Sequence, residues 1–359
     1  MVEEKTYLVV ILIQTIYAGM VLLTKATFDG GMNNYIFAFY RQVAGTVVLI
    51  PLAIIFERKN AIPLSVFTFC KIFMLAFLGI TLPLNASSIA LAYTTATLGA
   101  AIANCLPVAT FFLALLFRME KVKIRTAHGV VKLAGIVVCM AGVATLAFYE
   151  GPHLKPFLHH HTLEYHDTQK HHQSHLSSSH KRWAIGCLLF LVSTVAWSSW
   201  LVLQAQVLRS YPAKLRFTSL QCLSSSVQCF VLAVALERDP SQWKLGWNIR
   251  LLTVVYCGTL ITSLSYYLQA WVIQKKGPVF QAMSQPLTLI ITMIGSVLLL
   301  GEAITLGSVL GGTLLVISLY AVLWGKSKEE QTPENHDNLA NKAEKEFAEQ
   351  EEEEVITKL

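Results

Sequence analysis

Polar side chains set inside long apolar runs carry whatever chemistry this sequence has. They are Gln14 and Tyr17 in the first run, Asn85 and Ser88 in the third, and Asn104 in the fourth. The sixth run holds Trp197, Trp200 and Gln204, the eighth Tyr266, Tyr267 and Gln269, and the ninth Ser284 with Gln285. No nucleophile–base pair and no metal triad can be assembled from them, so catalysis is the least expected use. Amides, hydroxyls and aromatic rings instead bind, meeting the polar ends of a small molecule with dipoles rather than fixed charges. An amide facing lipid would leave donors and acceptors unsatisfied at a cost of roughly a few kcal/mol, so these groups are expected to face inward. Their plainer use is to hydrogen-bond neighbouring helices together.

No Asp or Glu lies in the interior of any apolar run, and no His lies mid-run. Proton-coupled carriers rely on such embedded groups, so the pattern favours facilitated diffusion. Pro107 and Pro286 interrupt the fourth and ninth runs at matched positions, and each frees the carbonyl four residues earlier, at Ala103 and Ala282. A water-filled cavity or a polar substrate can take up such a carbonyl. With Glu120 and Glu302 at the ends of their runs, the prolines are the candidates for kinking and gating. Lys25 and Arg41 sit near run ends, where they could steer a carboxylate, but the commoner behaviour of such cations is to snorkel to the interface.

The elements that must position these groups are helices. Spans of about 20 apolar residues cross a bilayer, and ten are expected: 7–26, 34–56, 69–92, 98–117, 129–149, 183–208, 216–236, 249–272, 279–300 and 305–325. Landmarks recur 179 residues apart, with Thr15 matched by Thr194, Gly79 by Gly258, Ala103 by Ala282 and Pro107 by Pro286. Five helices per half invert the second half relative to the first, the architecture of carriers with a site near the midplane.

Composition agrees. The 359-residue chain is 54% hydrophobic and 14% charged, with a mean hydropathy of +0.53, against about 25% charged for soluble domains. Eleven of the 22 acidic residues follow Gly325, which leaves a net charge of +12 on residues 1–325. That basic balance belongs to helix flanks and excludes a nucleic-acid surface. Sixteen Lys and Arg flank one side and nine the other, placing both termini in the cytoplasm. The seven cysteines fall within apolar spans and show neither a disulfide framework nor metal-ligand spacing. The domain reading is a first repeat over 1–149, a flexible non-cytoplasmic linker over 150–182, a second repeat over 183–325 and a disordered acidic tail over 326–359. Nine of the eleven histidines lie in the linker, irregularly spaced and without Cys; low-complexity drift explains them better than zinc binding.

Several stretches resemble one family. Gln14–Lys25 (QTIYAGMVLLTK), Tyr40-Arg41-Gln42, Asn104–Val122 (NCLPVATFFLALLFRMEKV) and Lys132–Cys139 (KLAGIVVC) resemble the first half of the plant nodulin-21-like transporters. Glu237–Gly246 (ERDPSQWKLG), Gly277–Pro286 (GPVFQAMSQP) and Leu319–Lys326 (LYAVLWGK) resemble the second half. This is the Walls-Are-Thin-related group, the "usually multiple acids move in and out" transporters, within the EamA branch of the drug/metabolite superfamily. The resemblance implies ten helices in two EamA repeats and bidirectional, largely uncoupled movement of amino acids, with auxin or related organic acids carried by some relatives. It also implies a plant source and the plasma membrane, with the vacuolar membrane as alternative. Asn104, Pro107, Glu120, Gly277, Pro278, Pro286 and Glu302 sit on the family pattern. Gln285 departs from it, standing where the family commonly has Asn.

The expectation is therefore an all-α membrane carrier whose halves rock around an amide-and-aromatic cavity, needing no cofactor, with a small-molecule substrate and the lipid bilayer as partners. A zinc carrier using the His-rich linker and a non-transporting membrane scaffold are the alternatives.

Overall fold

A computed structural model describes residues 2–57, 64–94, 99, 102–120, 126–149, 151–154, 179–300, 304–325 and 327–328. Glu302, linker residues 155–178, the tail beyond residue 328 and the side chain of Lys25 lie outside the described residues. Helices account for nearly everything described. They are α1 (Val2–Asp29), α2 (Asn34–Glu57), α3 (Val66–Ala76) and α4 (Leu82–Tyr93), then α5 (Leu106–Leu116) and α6 (Ala127–Phe148). The second half gives α7 (Ser179–Ser210), α8 (Lys214–Leu236), α9 (Ile249–Tyr256), α10 (Tyr266–Lys276), α11 (Pro278–Met283), α12 (Gln285–Leu300) and α13 (Leu306–Gly325). Among the described residues nine helical rods are long and apolar enough to span a bilayer, and α5 is a shorter apolar helix in the place of the fourth predicted span. A two-residue antiparallel ladder, His153–Leu154 on Ile304–Thr305, joins the loop after α6 to the loop before α13.

The rods turn their apolar side chains outward. Phe56, Leu116, Val137 and Tyr320 are exposed, while Gln14, Gln42, Thr81 and Ser265 are fully buried. That ordering is stable only where the solvent is lipid.

Two rods carry the same internal irregularity. α3 and α4 form one rod through a π-helical turn at Phe77–Thr81, and α9 and α10 form another through Cys257–Ser265. The repeat-matched glycines Gly79 and Gly258 lie inside these turns. A Cβ on Gly79 would sit 2.0 Å from the Trp200 ring, and one on Gly258 would sit 2.4 Å from the Cβ of Ala44. Neither position has room for a side chain. The proline landmarks mark a second matched pair of breaks. Cys105 and Ser284 occupy equivalent turns with φ and ψ of −75° and −7°, and −76° and −11°. In each case the proline falls in the first turn of the helix that follows, where its missing N–H costs nothing. Gly277 joins α10 to α11 at φ 85° and ψ 169°, a conformation open only to glycine.

The halves meet most intimately along α2 and α8, which run antiparallel. Glu57, closing α2, accepts the backbone N–H groups of Leu215 (3.1 Å) and Arg216 (2.9 Å) at the start of α8. Glu237, closing α8, accepts from Asn33 Nδ2 at 2.6 Å, while Asn33 Oδ1 caps α2 by accepting from the Tyr35 N–H. Between these clamps the hydroxyls of Thr46 and Ser226, 180 residues apart, bond to each other at 2.9 Å. In this helix pair the register is 180 residues, one more than at the other landmarks: the helices begin at Asn34 and Lys214 and close at Glu57 and Glu237, so Thr46 and Ser226 are equivalent and touch across a pseudo-two-fold axis. Since α2 and α8 are the second helices of their repeats and run in opposite directions, the repeats are inverted. Further contacts follow the same axis: α1 packs on α12 as α7 packs on α5, and α2 packs on the second π-turn as α8 packs on the first. Trp243, from the ERDPSQWKLG stretch, closes one end of the α2–α8 pair, accepting from Tyr40 Oη at its carbonyl (2.8 Å) and stacking near Phe39 and Phe230.

Candidate substrate-binding site

Helical spacing brings the polar residues to common faces. Gln14 and Tyr17 are one turn apart on α1, as are Tyr266 and Gln269 on α10, and Trp197, Trp200 and Gln204 share a face of α7. These faces converge. Gln14 Nε2 donates to Ser284 Oγ at 2.6 Å, across 270 residues of sequence, and Thr288 Oγ1 donates to Gln14 Oε1 at 2.5 Å. Ser284 Oγ passes its own hydrogen to the Gln281 carbonyl (2.6 Å). Gln269 Nε2 donates to Tyr17 Oη at 3.1 Å. Beside them Trp197, Trp200 and Tyr266 form a chain of rings with centroid spacings of 5.3 and 5.5 Å.

Arg41 completes this centre. Its closeness to the end of the second apolar run suggested snorkelling. It instead lies 3% exposed between the halves, because α2 packs against the second π-turn and draws the side chain inward. Its Nη2 donates to Tyr266 Oη (3.0 Å), its Nε to Thr262 Oγ1 (3.3 Å), and its Nη1 reaches the sulfur of Met20 (3.7 Å). Sequence reading undervalued Arg41, and it missed Thr262, Gln281 and Thr288. Gln281 and Thr288 sit one turn to either side of Ser284, so the helical period could have found them.

Several central polar atoms are buried without a hydrogen-bond partner in the protein: Trp200 Nε1, Gln204 Oε1, Ser265 Oγ, Gln269 Oε1 and Gln281 Oε1. Buried groups are ordinarily satisfied. These atoms include a donor, Trp200 Nε1, and acceptors, Gln204 Oε1, Gln269 Oε1 and Gln281 Oε1.

The other sequence-selected residues lie elsewhere or act locally. Asn85 Nδ2 donates to the Thr81 carbonyl (2.7 Å), closing the first π-turn. Ser88 bonds its own helix at the Leu84 carbonyl (2.8 Å) and lines a separate cavity of about 440 Å³ with Asn33, Asn34, Tyr35 and Tyr93. Asn104 is buried at the break before α5, and Gln285 is half-buried at the start of α12. Pro107 and Pro286 are buried at the matched breaks. Glu120 pairs with Lys132, and both side chains are buried. Glu302 is outside the described residues. Four of the seven free cysteines are buried, and Cys70 is exposed.

Comparison with known proteins places this geometry. Residues 4–148 and 184–324 match the EamA-like transporter family, one match per half. The chain is 54% identical over 334 residues to the WAT1-related protein At5g64700 of Arabidopsis thaliana, covering 92% of each. It is 42% identical over 331 residues to the WAT1-related protein At1g43650 of the same plant, covering 92% of this chain and 94% of the other. A solved crystal structure aligns with a TM-score of 0.62 over 89% of this chain and 98% of its own at 16% identity, a likeness of fold. Two inverted five-helix repeats, each matched by the same family, and relatives this similar over nine-tenths of the chain make this a multi-pass membrane protein that belongs to the EamA-like transporter family, in its WAT1-related group.

Proposed function

We propose that the protein moves amino acids in both directions across the plasma membrane by alternating access, without proton coupling, with both termini in the cytoplasm. One observation carries this reading. The centre between the halves is polar, buried and incompletely hydrogen-bonded, and among the described residues it contains no carboxylate. A zwitterion suits such a place, since amide and hydroxyl dipoles can take up its opposite charges together. The matched π-turns and proline breaks supply bending points on both sides of the centre, where a helix can change direction without losing the remainder of its ladder. Binding favours whichever arrangement of the halves touches the guest better, and so shifts their populations. The zinc-carrier alternative rests on nine linker histidines, seven of which lie outside the described residues.

The test is exchange of a radiolabelled amino-acid panel into proteoliposomes holding the purified full-length chain. Counterflow of several members, equal under an imposed and a collapsed proton gradient, is expected. A panel that equilibrates no faster than in protein-free vesicles removes the reading, and flux that collapses with the gradient removes its uncoupled form.

A further inference from the structure

Two cations are buried among the described residues, Arg41 and Lys132. Lys132 has a partner, Glu120. Among the described side chains Arg41 has none of that kind. Each of the acidic side chains that the structure describes in its helices and loops is engaged elsewhere: Glu57 with the start of α8, Glu120 with Lys132, Glu237 with Asn33, and Asp239 with Ser241. A guanidinium stays protonated at any physiological pH, so this charge cannot be relieved by losing a proton. Left alone in a low dielectric it is strongly unfavourable. Its present partners are two neutral hydroxyls and a thioether, a weak acceptor, and they leave its fork of five donors only partly used.

The surroundings say what would complete it. Tyr266 links Arg41 to Trp200, whose buried Nε1 donor has no protein partner. One turn along from Tyr266, Gln269 holds Tyr17 through its nitrogen and leaves Oε1, an acceptor, unmatched. Positive and N–H donors therefore gather at one end of this cluster and a free acceptor stands a turn away. The position related to Arg41 by the 180-residue spacing of Thr46 and Ser226 is Gln221, which is buried but neutral. The charge belongs to one half only.

We propose that Arg41 anchors the carboxylate of the transported molecule, with Tyr266 and Thr262 holding its guanidinium in place between visits. The assignment rests on the amino-acid reading above, but it makes a separate claim: the carboxylate, not the ammonium, is the dominant handle. A planar guanidinium accepts a carboxylate through two parallel bonds, which no neutral amide can match.

The experiment uses the full-length protein in lipid nanodiscs and two fragments of leucine. Isocaproate keeps the carboxylate and lacks the ammonium; isopentylamine keeps the ammonium and lacks the carboxylate. Binding is read as tryptophan fluorescence change and as ligand-induced thermal stabilisation. Isocaproate is expected to bind the wild type more tightly than isopentylamine. Arg41→Gln should weaken isocaproate by roughly 10- to 100-fold, the range for hydrogen bonds to a charged group. Arg41→Lys should recover part of that loss, and Gln221→Leu should leave the affinity unchanged. Equal binding of isocaproate to wild type and Arg41→Gln overturns the assignment, as does preference for the amine or no isocaproate binding at all. Should Arg41→Gln fail to fold, the order of the two fragments on the wild type decides alone. Amino-acid flux without isocaproate binding sinks the anchor and spares the transport reading; Arg41-dependent isocaproate binding without flux does the reverse.

Discussion

Over Gly79, in the first half, lies the ring of Trp200; over Gly258, its equivalent in the second, lie Ala44 and the backbone of Gly45. Both rods bend through a π-turn at the same repeat position, yet one turn is wedged by a large aromatic side chain and the other is pressed against a neighbouring helix. The same division runs through the molecule. Breaks, turns and helix crossings are duplicated, while the chemistry is not: Gln14 corresponds to Ser193, Tyr266 to Ser87 and Ser284 to Cys105 under the 179-residue shift. In the alternating access we propose, duplicated backbone keeps the motion symmetric about the axis, and divergent side chains give a small, asymmetric molecule a single orientation.

The sharpest way to break this comparison is at the glycines. Valine at position 79 or 258 should each destabilise the protein by ~3 kcal/mol, the upper range for overpacking a filled core, seen as a lower melting temperature in detergent. Trp200→Ala is expected to restore much of the loss in Gly79→Val and none in Gly258→Val, because only the first clash is with Trp200. Rescue of both would mean that the two turns are not packed differently.

A smaller effect separates the chemistries of the halves. Gln14→Leu abolishes the bridge to Ser284 and Thr288 and is expected to slow exchange about tenfold, equivalent to ~1.4 kcal/mol in the barrier. Ser193→Ala, at the equivalent place, loses only the bond to the Pro83 carbonyl (3.0 Å) and should leave the exchange rate within about twofold, well under ~1 kcal/mol. Equal losses in the two variants would argue that the halves share the substrate symmetrically.

The smallest difference concerns the clamps. Glu57→Gln removes a full negative charge from the N-terminus of α8 and should destabilise by ~0.5–1 kcal/mol, as charges at helix ends do. Glu237→Gln keeps a neutral acceptor for Asn33 and should cost less. Melting temperatures of the two variants, measured side by side, check that order.

Much of the fold could be read directly because lipid punishes ambiguity. An unbroken apolar run can be only a span, and an odd number of runs per half inverts the second. The prolines marked the breaks, since nothing else removes a ladder donor at matched places. The π-turns were invisible. One extra residue in a helical turn changes no composition and shifts an already all-apolar period by too little to notice. The candidate centre was legible for Gln14, Tyr17, Gln269 and Ser284, whose amides and hydroxyls had to face inward. Ser88 and Asn85 obeyed the same rule by bonding their own backbone, which sequence cannot distinguish. Arg41 was misjudged for a reason of geometry: closeness to a helix end along the chain says little about where a long side chain goes when the neighbouring helix leans over it.

The hydrogen bond between Thr46 and Ser226 has a consequence for origins. Two equivalent hydroxyls touching on an axis form a self-complementary surface, the kind by which identical subunits pair face to face. A lone ancestral half carrying that surface would already have been able to recognise its own upside-down copy. Fusion into one polypeptide would then have fixed a pairing that existed beforehand, and freed each copy to acquire its own residues without losing the other.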